Sequence, residues 1–184
     1  MKTESILKEA EAIYRRCGRT GPEELCRLNG VILLYYPMGK TEEACKGFVL
    51  RCGSKTSITI NSDMSPFLQK MVLWHELGHY FLHIQTGLAD GLREFSVWNV
   101  SDKMEREANL LAAELSIKDE DVTEVFSETK DFFEASGKLN VLPGFLDFKI
   151  RMMNASGAAL PGVPVPAEGS FLGKQKDEDA YVQP

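Results

Sequence analysis

The sequence predicts an α+β domain: a small, mostly antiparallel sheet packed on a long helix, with additional helices towards the C-terminal end. Two observations point there. The β-prone runs are confined to residues 31–61, and apolar residues recur at helical spacing on either side of them. A third, the placing of Gly and Pro between these runs, sets the boundaries.

The elements follow in order. Ile6, Leu7, Ala10, Ile13, Tyr14 and Cys17 form one helical face, which Gly18 can close. Pro22 suits the first turn of a short second helix ending at Gly30. Val31 to Tyr36 reads as a buried strand, followed by alternating segments at 47–52 and 56–60. An odd-length loop around Gly53-Ser54-Lys55 would place Phe48 and Leu50 on the same sheet face as Ile58 and Ile60. Ser65-Pro66 is an N-cap with proline at the first helical position, and the helix it opens meets no breaker before about Ile84. Residues 85–100 have no clear period, and so long a connection is expected to hold local structure or lie over a cleft. A helix then runs from Ser101 or Asp102 to about Ser116, and two or three short ones fill 119–156, punctuated by Gly137 and Pro143. The expected organisation is a core over 1–118, a short helical part over 119–156 and a Pro-rich, flexible tail over 157–184, dispensable for the site.

Composition narrows the function. Hydrophobic residues make up 43% and charged residues 26%, the balance of a chain that buries a core. A net charge of −6 with no Lys/Arg cluster disfavours direct nucleic-acid binding. With neither a long apolar run nor a signal-peptide pattern, no membrane partner is expected and the expected location is the cytoplasm. Four cysteines without metal-ribbon spacing are expected to be reduced thiols.

Chemistry concentrates at His75-Glu76-Leu77-Gly78-His79. Histidines four apart on a helix stand about 6 Å apart along its axis on one face, so both rings reach one ion. Glu76 lies one residue round from His75, which suits a general base beside the ion's open position rather than another ligand. The pattern points to zinc and peptide-bond hydrolysis. His83, the remaining histidine, lies about 12 Å along an unbroken helix from His75, so a structural or outer role is expected. Gly78 costs helix stability; either another backbone or a substrate passes close by, or the helix packs tightly there.

A catalytic zinc takes three protein ligands. Glu105 and Glu107 are the candidates for the third, and they point about 200° apart round their helix. Residues 105, 108, 112 and 115 form a stripe that is apolar after its first member, the face suited to packing on the metal helix. Asn109 lies one turn on from Glu105, placed to accept the spare N–H of a ligating histidine. Both points favour Glu105.

The stretches MVLWHELGHYFLH (71–83) and EREANLLAAELS (105–116), with SITIN (57–61) shortly before, resemble the ImmA/IrrE family of metallo-endopeptidases. The resemblance extends over residues 1 to about 155. It implies a zincin-like core and cleavage of a helix-turn-helix transcriptional repressor. It also implies His75 and His79 as zinc ligands, Glu76 as general base and a glutamate of 105–109 as third ligand. Two departures stand out: Ile117-Lys118-Asp119 replaces the usual apolar helix end, and no large C-terminal sensor region follows. The competing expectation is a regulator that keeps the zincin fold and grips a repressor without cutting it. An intact Glu76 favours cutting, since pure binding has no need of it.

Overall fold

The computed structural model describes residues 3–85 and 102–161. Helices α1 (Thr3–Cys17) and α2 (Pro22–Leu28) come first, followed by strands β1 (Val31–Tyr36), β2 (Gly47–Cys52) and β3 (Lys55–Asn61). Helix α3 (Pro66–His79) continues into a π-helical turn, Tyr80–Ile84. The rest is helical: α4 (Asp102–Ser116), α5 (Asp119–Glu128), α6 (Phe132–Lys138) and α7 (Pro143–Ala155). The fold is α+β, as the patterning implies. The segment 86–101 and the tail beyond 161 lie outside the described residues.

Several boundaries have plain local causes. Gly18 and Gly30 take positive φ (72° and 66°) and close α1 and α2. Ser65 Oγ accepts the Leu68 N–H at 3.3 Å, and Pro66 occupies the first turn, so α3 begins where its cap dictates. Gly137 does not break the chain as expected; it lies inside α6, and Asn140 at φ 52° makes the turn instead.

The sheet differs from its expectation in strand direction, hairpin length and burial: β1, expected to be buried, is buried only at Val31. The sheet order is β1-β3-β2, with β1 parallel and β2 antiparallel to the central β3, so it is mixed rather than mostly antiparallel. The hairpin also closes with two residues: Cys52 pairs with Lys55, and Gly53 at φ 60° makes the tight turn. Shortening the loop by one residue reverses the parity of β2. Val49 therefore sits opposite Ile58 on the inner face, while Phe48 and Leu50 join Ile32 and Leu34 on the outer one. Ile32, Leu34 and Leu50 are each nearly half exposed in consequence.

The core gathers Ile58 and Ile60 from the sheet, Leu73 and Leu77 from α3, Leu111 and Ala112 from α4, and Phe145 and Phe148 from α7. Helix α4 is its axis. The Tyr14 hydroxyl of α1 donates to the Glu114 carbonyl at 2.6 Å, and Lys149 of α7, fully buried, donates to the Glu114 carboxylate at 2.6 Å and pairs with Asp119. A lysine so deep is tolerated because its charge is neutralised in place; removing either partner would strand the other.

The tightest contact joins α3 to α4. A Cβ on Gly78 would lie 2.9 Å from both C and Cα of Ala108 and closer still to its carbonyl oxygen. Backbone passing close by is thus the reason for glycine in the last turn of α3, and Ala108 is the small residue that answers it.

Gly78→Ala is expected to destabilise the fold. The added methyl meets backbone that cannot rotate away, an overpacking cost of about 1–3 kcal/mol, and the better helix propensity of alanine returns only about 1. Urea unfolding of the variant checks this; stability equal to wild type would refute the contact.

Candidate metal centre

The close approach of α3 and α4 brings polar groups together inside an apolar core. His75 and His79 project from α3 towards the N-terminal half of α4, and both are buried. Their Nε2 atoms are 3.1 Å apart. Glu105 completes a triangle: its Oε2 lies 3.3 Å from His75 Nε2 and its Oε1 3.3 Å from His79 Nε2. All three groups offer an atom within 4.8 Å of the others, so they can hold a metal ion.

Two observations test the fit. In a tetrahedral site with bonds of about 2.0–2.1 Å, neighbouring ligand atoms stand about 3.3–3.4 Å apart; the three contacts here are of that size, with each histidine facing a different oxygen of Glu105. The chemistry of the atoms agrees. Glu105 Oε2 is buried and hydrogen-bonded to nothing, although His75 Nε2 is near. His75 Nδ1 meets Asn109 Oδ1 at 2.8 Å; an amide oxygen only accepts, so His75 carries its proton on Nδ1 and turns a lone pair inward from Nε2. Acceptors converging without a donor are what a cation satisfies.

Electrostatics follow from burial. Burial alone would raise the Glu105 pKa; when no ion is bound and the two rings turn protons to its oxygens, their hydrogen bonds and charge outweigh burial and hold it well below the ordinary carboxylate range. Glu76, also buried, has its pKa raised by desolvation, with His75 and His79 opposing. Burial, helped by the neighbouring His79, lowers His83 to about 4, so its ring is neutral at pH 7. Around the centre, Gly47 at the start of β2 abuts Val72 of α3, and the thiol of Cys45 just before it is raised by burial, with the charge of Glu76 adding to the effect. The entry to β2 therefore borders the site. All four cysteines are free thiols.

His75, His79 and Glu105 thus come together, with Glu76 beside the two histidines. Glu107 does not join them; its carboxylate is buried against His83, with Oε2 3.4 Å from His83 Nε2. The structural or outer role expected for His83 fits this pairing, but its partner, 24 residues away on another helix, is not marked by any local pattern. Tyr80 stays out of the site as well, its hydroxyl donating to the Asn29 carbonyl at 3.4 Å.

A helix carrying His-Glu-x-x-His, faced by a second helix carrying a glutamate and backed by a small mixed sheet, is the frame of a zincin-like metallopeptidase. The chain belongs to the family described as the IrrE N-terminal-like domain (Peptidase_M78), whose model matches residues 26–151. It is similar to metallopeptidase ImmA of Bacillus subtilis (strain 168), with 25% identity over 159 residues that cover 83% of this chain and 88% of that protein.

Removing each α4 glutamate separates their roles. Glu105→Ala is expected to weaken metal binding far more than Glu107→Ala, measured by chelator competition; the reverse order would move the third ligand to Glu107.

Proposed function

We propose that this chain is a zinc-dependent endopeptidase of the cytoplasm that cleaves one specific protein, a helix-turn-helix transcriptional repressor. His75, His79 and Glu105 are the proposed ligands and Glu76 the proposed general base. The observation that carries the reading is the convergence of two buried imidazoles and a carboxylate, each offering a ligand atom within 4.8 Å of the others. Membership of a metallopeptidase family supports it.

A bound zinc ion supplies a Lewis acid that acidifies water and polarises a peptide carbonyl. The chain's own groups do the remaining work. Glu76 leads away from the ligand cluster by one residue, close enough for its charge to act on His75 and His79. Desolvation raises its proton affinity, which suits a base that takes a proton from the attacking water and returns it to the leaving amine. Asn109 orients His75 so that Nε2 stays turned to the ion.

Substrate is proposed to lie along β2. Both 47–52 and 56–61 suit this role by sequence, but β3 is paired on both sides and has no backbone groups to offer. Among the described residues β2 is an edge strand, and its first residue abuts α3 beside the site. An extended segment can add there through main-chain hydrogen bonds. The choice of a repressor as substrate rests on the family resemblance.

The test is cleavage of a candidate helix-turn-helix repressor, with and without chelator. Glu76→Gln should keep its zinc, since an amide leaves the ligands untouched, and lose proteolysis by at least about 100-fold. Cleavage by this variant near the wild-type rate would end the mechanism. Unchanged cleavage in chelator would end the zinc reading. Binding of the repressor without cleavage would favour the regulator that grips without cutting.

A further inference from the structure

Beyond the three proposed ligands, the buried polar network continues in one direction. His79 Nδ1 meets His83 Nδ1 at 3.1 Å, and His83 Nε2 meets Glu107 Oε2 at 3.4 Å. The two rings are 5.1 Å apart between centroids and tilted by 49°. His83 belongs to the π-helical turn, where the Gln85 N–H reaches back to the Tyr80 carbonyl at 2.9 Å. Such turns are rare in helices and recur at functional sites. Nothing in the proposed hydrolysis needs His83 or Glu107.

Proton bookkeeping gives them a task. A carboxylate only accepts, so the His83 proton that faces Glu107 lies on Nε2. A neutral ring carries one N–H, which leaves His83 Nδ1 as an acceptor. Its partner, His79 Nδ1, must then be the donor. With its proton spent on Nδ1, His79 presents a lone pair at Nε2, the atom that faces Glu105 and His75. Through this row the Glu107 carboxylate, which also faces Lys103 Nζ at 3.9 Å, decides the tautomers of two rings in succession. On the other flank Asn109 does the same for His75 in one step.

We propose that Glu107 and His83 are positioning residues that fix the tautomer of His79, holding its Nε2 open for the metal ion. The proposal rests on the reading of His75, His79 and Glu105 as a metal centre. It differs from a packing role in a testable way. If His83 merely filled space, leucine would replace it better than asparagine. If its Nδ1 is an acceptor, asparagine is the better replacement, because the amide oxygen falls near the same place.

Two measurements on the full chain decide it. Nitrogen-15 NMR of wild-type protein at pH 7.5 is expected to show His83 neutral and protonated on Nε2; a proton on Nδ1, or on both nitrogens, overturns the proposal. This readout does not need metal. Zinc affinity by chelator competition is expected to fall about 10- to 100-fold in His83→Leu, the range for loss of such a partner. In His83→Asn it should stay within a few fold of wild type. Equal affinity in His83→Leu and wild type, or no advantage of asparagine over leucine, overturns the proposal as well. Failure of wild type to bind zinc would instead remove the metal centre itself, with the His83 tautomer still reporting on the relay.

Discussion

The distance between α3 and α4 is the constraint on which the rest depends. It is set where Gly78 meets the backbone of Ala108, a contact that leaves no room for a side chain. Residues flanking that point on α4 inherit its geometry. Glu105 lies one turn before Ala108 and Asn109 directly after it, so Glu105 reaches both His75 and His79, which flank Gly78 on α3, and Asn109 reaches His75. A wider gap would leave the carboxylate short of the imidazoles. The apolar stripe of α4 sets the helices' rotation, and the missing Cβ sets their separation. Both are needed, because metal ligands must be placed to within about 0.5 Å.

That geometry has to be held from behind. Helix α4 is buried along most of its length and is gripped on its far side by α1 and α7. The gripping contacts are directional as well as apolar: Tyr14 takes the Glu114 carbonyl, and Lys149 takes its carboxylate. Buried ion pairs seldom add much net stability over apolar packing, but they specify one arrangement where packing alone would tolerate sliding. Here they lie about two turns along α4 from Ala108, and they bear on the same helix that carries Glu105. Residues far from the chemistry thus bear on the ligand spacing.

Much of this was legible in the chain. The histidine pair, its adjacent glutamate and the stripe on α4 are local patterns, and local patterns survive folding when a buried face enforces them. The hydrogen bond of Asn109 to His75 follows from the same stripe, since one turn of helix fixes where the amide must lie. What sequence patterning missed has a common cause. Apolar alternation in β2 runs nearly all along the strand, so both parities look acceptable, and only the two-residue turn at Gly53 chose between them. Strand direction was hidden too, because β1 pairs with β3 across an intervening strand and no local feature records that. The outer role of His83 could be expected from its distance along the helix, but its pairing with Glu107 joins two helices and has no local mark.

The π-helical turn also bears on how the two halves of the site relate. It begins directly after His79 and ends at Ile84, whose carbonyl accepts from Arg51 of β2 at 3.1 Å. The end of the metal helix is therefore tied to the far end of the edge strand, while the near end of that strand abuts Val72 through Gly47. No residue of β2 is fully buried, and its ends are fixed to α3 and to the π-helical turn that follows it. On the proposed reading, this joins two unlike requirements. The groups that hold the ion need a rigid, dry surround, and the edge that receives an extended chain needs exposed main-chain donors and acceptors. Fixing an exposed strand by its ends to a buried helix meets both, so a substrate's register along β2 determines which peptide bond comes to Glu76. Selectivity would then arise from the strand and its neighbours, since the ligand cluster recognises only a carbonyl and a water.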